Sequence, residues 1–123
     1  MNTESIAKRL VELCREGKYE EAQIELYADD AVSVEPDGLP QGALGNVIGL
    51  PAILEKGHQF GAMIEEMHAN HVSDAVVAGN WFSVSMMLDV TMKGRGRTHM
   101  KEICVYRVHD GKITHERFFF DVM

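Results

Sequence analysis

Apolar and polar positions alternate most cleanly in the last quarter of the chain, THMKEICVYRVHDGKITHERFFFDVM from Thr98 to Met123. Alternation on both sides of His109-Asp110-Gly111 predicts two long strands joined by a tight turn. A two-residue loop pairs His109 with Lys112. A three-residue loop with Gly111 left-handed pairs Val108 with Lys112, Cys104 with Glu116 and Glu102 with Phe118. The second register is preferred because it sorts the side chains. Met100, Glu102, Cys104, Tyr106, Glu116, Phe118 and Phe120 share a mostly apolar face, while Lys101, Arg107, His115 and Arg117 lie on the other.

Upstream, Ile6, Leu10, Leu13 and Cys14 recur at helical spacing, so a first helix is expected to about Glu16, capped by Thr3 or Ser5 and ended at Gly17. A second helix is expected over Tyr19 to Tyr27, then a turn at Asp29-Asp30 and a short strand over Ala31 to Glu35. Pro36 to Ile48, with three glycines and two prolines, predicts a loop, either a plain connection or a flap over a pocket. Pro51 opens a third helix expected to reach about His68, with Ile53, Leu54, Phe60, Met63, Ile64 and Met67 on its buried stripe. Strands follow over His71 to Val77, Trp81 to Met92 and Thr98 to Val108. A loop at Gly94-Arg95-Gly96 pairs Asp89 with Lys101 and Leu88 with Glu102, and places Phe82, Val84, Met86 and Leu88 on the face of Cys104. The order of helix, helix, strand, helix and four meandering strands predicts an α+β domain with helices on one face of a curved antiparallel sheet.

Composition narrows the function. The 123 residues suit a single domain spanning 1–123, and 46% hydrophobic content suffices for its core. A net charge of −7 disfavours nucleic acid and anionic membrane surfaces, and no apolar run is long enough to span a bilayer. The start MNTESIAKRL lacks an apolar signal core, and Cys14 and Cys104 read as buried free thiols, so a soluble, cytoplasmic protein is expected. The six histidines offer only His68-Ala-Asn-His71 as a spaced pair without a third ligand, so no metal site is expected.

Three stretches carry a family resemblance: LYADDAVSVEPDG after the second helix, GLPAILEKGHQF opening the third, and CVYRVHDGKI followed by FFFD. In this order they resemble the SnoaL-like group of the nuclear transport factor 2-like superfamily. The resemblance covers nearly the whole chain. It implies a cone-shaped α+β barrel, three N-terminal helices packed on a curved, mostly antiparallel sheet, a pocket between them, and homodimers formed through the outer sheet face. Relatives include ketosteroid isomerases, epoxide hydrolases, polyketide cyclases, dehydratases and non-enzymatic binders. Matched through the DGKI turn, the isomerase aspartate of the penultimate strand falls at Cys104 and the hydrolase aspartate of the last strand at Phe118, so neither activity carries over. The aromatic lining both pockets is matched by Phe120.

What remains is a pair of carboxyls. Glu102 and Glu116 are expected as diagonal neighbours on the inner face, where an apolar lining raises carboxyl pKa values and sets up an acid and a base, with Tyr106 as oxyanion donor. Phe60, Met63, Met86, Leu88, Cys104, Phe118 and Phe120 are expected to line a site for a small apolar molecule. Proton transfer next to a carbonyl, in an isomerase, cyclase or dehydratase, needs no cofactor. The alternative is a non-catalytic dimeric binding or interaction module of the same fold. On the outer face Trp81, Ile103, Val105 and Phe119 lie among Arg107, Arg117, His115 and Asp89, the apolar centre and charged rim of a symmetric interface.

Overall fold

The computed structural model describes residues 1–39 and 44–122. Residues 40–43, inside the loop expected over 36–48, and the final Met123 lie outside the described residues. Three helices, α1 (Thr3–Arg15), α2 (Tyr19–Leu26) and α3 (Leu50–Met63), accompany seven strands. These are β1 (Tyr27–Val34), β2 (Val47–Ile48), β3 (Ile64–Val72), β4 (Val76–Ala78), β5 (Trp81–Met92), β6 (Gly96–His109) and β7 (Lys112–Phe119). They form one curved, open sheet in the order β2-β1-β7-β6-β5-β3, with β4 also on β5. Every pairing is antiparallel except β1 with β7.

The core lies between the helices and the inner sheet face. Ile6, Leu10 and Cys14 of α1 and Ile53 of α3 join Phe82, Val84 and Met86 of β5, Cys104 and Tyr106 of β6, and Ile113 of β7 in one buried cluster. Phe82 stacks on Tyr106, with ring centroids 4.8 Å apart, a contact set up by their direct pairing across β5 and β6.

Several local expectations change. Asn2, not Thr3 or Ser5, caps α1, accepting the Ser5 amide at 2.8 Å. Asp29 and Asp30 lie within β1, which starts directly after α2. Helix α3 stops at Met63, and the stretch expected to continue it to His68 is strand β3. Gly57 and Gly61 weaken that helix, and pairing along the 12-residue β5 offers Ile64 to Val72 a ladder instead. Of the expected α3 stripe, Ile53 is buried, whereas Met63 and Met67 are exposed. The strand expected over His71 to Val77 is split between the end of β3 and β4.

Both hairpin registers move by two residues while the faces hold. Asp110 and Gly111 both have positive φ, 49° and 73°, and make the two-residue turn that pairs His109 with Lys112. That turn alone would set His115 opposite Tyr106 and send Glu116 outward. A bulge opposite Arg107 and Val108 leaves Thr114 and His115 together between the inward Ile113 and Glu116. Tyr106 therefore pairs with Glu116 and Cys104 with Phe118. In the other hairpin the loop is Lys93-Gly94-Arg95, closed by the left-handed Gly96 opposite Met92. Asp89 then faces His99 rather than Lys101, and takes two bonds from Arg97 at 2.8 and 2.9 Å. Met86, not Leu88, pairs with Glu102.

Candidate functional site

The parallel pair β1 and β7 builds the floor of an interior polar cluster. Tyr27, Ala31 and Ser33 point inward from β1, and the register sets Ser33 beside Glu116. Glu116 is 3% exposed, and the Tyr27 hydroxyl donates to its Oε1. Burial raises the Glu116 pKa, opposed by hydrogen bonding from Ser33 and Tyr27 and by the charge of Lys56. Burial also raises Tyr27, and the neighbouring Glu116 raises it further, so the phenol stays a donor.

Helix α3 supplies the cation. Lys56 lies one turn beyond Ile53 and shares its buried stripe. Its Nζ donates to Ser33 Oγ at 2.7 Å and to the Gly45 carbonyl at 3.2 Å, and lies 3.4 Å from Glu35 Oε1. It also sits 5.6 Å from the centre of the Phe118 ring. Glu35 follows β1 directly, its amide held by the Asn46 side chain at 2.6 Å. Its Oε2 is buried without a hydrogen-bond partner among the described residues. Burial raises the Glu35 pKa, partly offset by Lys56.

The third carboxyl comes from β6. Glu102 accepts from the Cys104 thiol at 3.5 Å, a long contact to one oxygen. Burial pushes its pKa up to about 7; the Cys104 contact opposes the rise, Glu35 and Glu116 add to it, and Lys56 lowers it. Cys104 pairs with Phe118 across β6 and β7, so Lys56, Phe118, Cys104 and Glu102 form a continuous path through the interior. On the far side Tyr19 donates to Asn70 at 2.6 Å, and Glu102 is among the charges that keep this phenol protonated, after burial itself.

The residues anticipated from sequence are only partly brought together. Glu102 and Glu116 share the inner face, but Glu116 pairs with Tyr106, four residues along β6 from Glu102, so they are not diagonal neighbours. Tyr106 is buried against Phe82, its pKa raised chiefly by that burial. Met86 and Cys104 are buried in the core, while Phe60, Leu88, Phe118 and Phe120 are half-buried. Met63 is 39% exposed at the end of α3 and lines nothing buried. Lys56 and Glu35 escaped the sequence reading, although each left a signal. Lys56 falls three residues after Ile53 on the apolar stripe, and Glu35 continues the alternation of Ala31 and Ser33.

A cavity of about 320 Å³ opens between the 44–47 segment and α3, lined by Leu44, Gly45, Val47, Ala52, Glu55, Lys56 and Gln59. Lys56 is thus at once in its wall and in the interior cluster. Among the described residues no three His, Cys, Asp or Glu side chains are placed to hold a metal ion. No helix among them is long and apolar enough to cross a membrane.

Residues 1–120 match the family model of the SnoaL-like domain. A Mesorhizobium loti protein provisionally called a SnoaL-like polyketide cyclase is 33% identical, with a TM-score of 0.89 over 98% of this chain and all of that one. TerC, crystallised with polyporic acid, is 20% identical with a TM-score of 0.76, covering 98% of this chain and 92% of its own. A Bacillus subtilis protein provisionally called an isomerase is also 20% identical, with a TM-score of 0.71 over 98% of this chain and 90% of that one. The latter two likenesses show the fold alone. No protein of curated function matches the chain.

Proposed function

The chain belongs to the SnoaL-like domain family, and from that premise we propose that it is a cofactor-free enzyme moving a proton next to a carbonyl in a small, largely apolar molecule. The observation that carries this reading is the inward-facing set of three carboxyls, the buried Glu116 and the partly buried Glu35 and Glu102, with the ammonium of Lys56 paired to Glu35 and also lining an open cavity. In this scheme the substrate enters beside Gly45 and its carbonyl oxygen replaces one of the Lys56 contacts. Glu102, about half ionised near neutral pH, takes the proton from the adjacent carbon. The ammonium of Lys56 stabilises the resulting enolate, an interaction strengthened by the low polarity around Phe118. Glu35, held towards its neutral form by burial and with a free Oε2, returns a proton elsewhere on the molecule. Glu116 holds Tyr27 and Ser33 in place and supports the charge of Lys56. Tyr106 assists beside Cys104, while Phe118 and Phe120 provide apolar lining.

A polyporic-acid complex of TerC and the cyclase name borne by the Mesorhizobium loti relative support small oxygenated organic molecules as ligands to try first. A thermal-shift screen with small ketones, lactones and hydroxyquinones tests the site. The expected result is a hit that stabilises the protein and fails to stabilise the Lys56→Met variant. Equal stabilisation of both would place the ligand elsewhere.

A second reading, a dimeric binding module, is favoured by the convex face. Trp81, Ile103 and Phe119 are 49%, 52% and 45% exposed there. Arg107 lies over Trp81 and Arg117 over Phe119. Large exposed apolar side chains rimmed by arginine suit a face that meets a second copy. The two readings are compatible, since one uses the inner face and the other the outer.

A further inference from the structure

Both ladders of β7 break at the same residue. Against β6, Ile113 pairs with Val108 and His115 with Arg107, and Thr114 is skipped. Against β1, Ile113 pairs with Tyr27 and His115 with Val32, so Thr114 is skipped again while four residues of β1 pass by. The strands part on the convex side at this point. The gap is a cavity of about 340 Å³ lined by Asp30, Val32, Arg107, His109, Thr114 and His115. It lies on the opposite face of the sheet from Glu102 and Lys56.

Its lining sets one arginine, Arg107, against one carboxylate, Asp30, with two imidazoles and a hydroxyl between them. Arg9, Arg15 and Arg97 are each paired with a carboxylate. Arg107 has no ion pair among the described residues, although Asp30 lines the same cavity. The guanidinium lies 5.8 Å from the centre of the Trp81 ring, which orients its plane and leaves N–H groups for a ligand. The Thr114 hydroxyl lies 3.0 Å from His115 Nδ1 and 3.4 Å from the Arg107 carbonyl, so the three groups are held together at the bulge. Arg107, His109, His115 and Thr114 line one space with Asp30, and His109 Nε2 also lies 3.3 Å from the Asp110 carboxylate at its edge.

We propose that this cavity is a second ligand site, binding the phosphate group of a small phosphate monoester through Arg107, His109, Thr114 and His115. Guanidinium N–H groups match phosphate oxygens two at a time. The volume exceeds what a phosphate alone fills, and Asp30 is placed to accept a hydrogen bond from a hydroxyl on the organic part. The cavity sits at the turn end of the convex face, away from Ile103 and Phe119, which pair at the other end of β6 and β7, and shares Arg107 with the Trp81 edge of the apolar face. It is independent of the proton-transfer reading.

The test is titration with inorganic phosphate and with glycerol 1-phosphate, followed by amide chemical shifts on the full chain. The expected result is saturable shifts at Arg107, Thr114 and His115, with glycerol 1-phosphate the tighter of the two. Arg107→Gln and His115→Gln should each weaken binding by about tenfold. Arg117→Gln, which removes the same charge from the same face outside the cavity, should leave it within about twofold. If Arg107→Gln folds poorly, Arg107→Lys, which keeps charge but loses the fork, carries the same expectation. Equal weakening by Arg117→Gln, or no saturable shift in the wild type, would overturn the proposal.

Discussion

Tyr27 donates its phenolic hydrogen to Glu116 across the parallel pairing of β1 and β7, joining residues 89 positions apart in sequence. That bond fixes the inner carboxylate that supports Lys56. It forms only because the Thr114 bulge turns Glu116 inward. Tyr27→Phe would leave Glu116 buried with fewer donors. A loss of about 1–3 kcal/mol of stability is expected, read from urea unfolding at neutral pH. A change within error would mean that solvent reaches Glu116 and the cluster is not closed there.

Lys56 pairs with Glu35 at 3.4 Å, and its charge also lowers the pKa values of Glu102 and Glu116. Lys56→Met keeps the volume of the stem and removes the charge. Without it Glu35 and Glu116 lose a group that lowers their pKa values. Because truncating one partner strands a buried charge, a destabilisation of about 3 kcal/mol is expected at pH 8, shrinking at pH 5 as the carboxyls take up protons. Thermal melts of both proteins at the two pH values check the difference.

Glu102 sets a slope in stability with pH. Its folded pKa, about 7, lies above the ordinary glutamate value of 4.5. A raised acid binds its proton more tightly in the folded state, so its contribution is full below about 4.5 and is lost as pH rises through about 7. The wild type should therefore lose stability between pH 5 and pH 8 relative to Glu102→Gln, by up to about 3 kcal/mol. Parallel stability curves for the two proteins would show that Glu102 is solvated in solution.

The convex face yields a separate prediction. Phe119→Glu and Ile103→Glu place charges opposite one another on β6 and β7, at the exposed end of the apolar patch. The wild type is expected to sediment as a dimer and the double variant as a monomer that still unfolds cooperatively at a lower temperature. A monomeric wild type at micromolar concentration would remove the dimer from the account.

The sequence made the two faces of the sheet legible but not the pairing between strands. Alternation has period two, so Glu102, Cys104 and Tyr106 declared a common face, and any even shift of register preserves it. The actual shift of two depends on the Asp110-Gly111 turn and the bulge at Thr114, whose effects on parity cancel. No single-strand pattern reveals that cancellation. The end of α3 was hidden for another reason. Residues 64–68 keep apolar spacing compatible with a helix, and only the length of β5 makes a strand the better outcome. The site was half visible. Glu102 and Glu116 stood out as acids in apolar strands, whereas Lys56 looked like an ordinary helix lysine until Ser33, Gly45 and Glu35 were seen to surround it.

The measurement that bears most directly on the account is hydrogen–deuterium exchange at carbon, followed by proton NMR in D2O, on small 1,3-diketones and hydroxyketones. The wild type is expected to accelerate loss of the signal next to the carbonyl, with a rate that rises with pH through an apparent pKa near 7. Glu102→Gln should lower that rate by about a hundredfold or more. Equal rates with the wild type and Glu102→Gln, or no acceleration by the wild type on any of these compounds, would contradict a proton-transfer role for the interior carboxyls and favour the binding module.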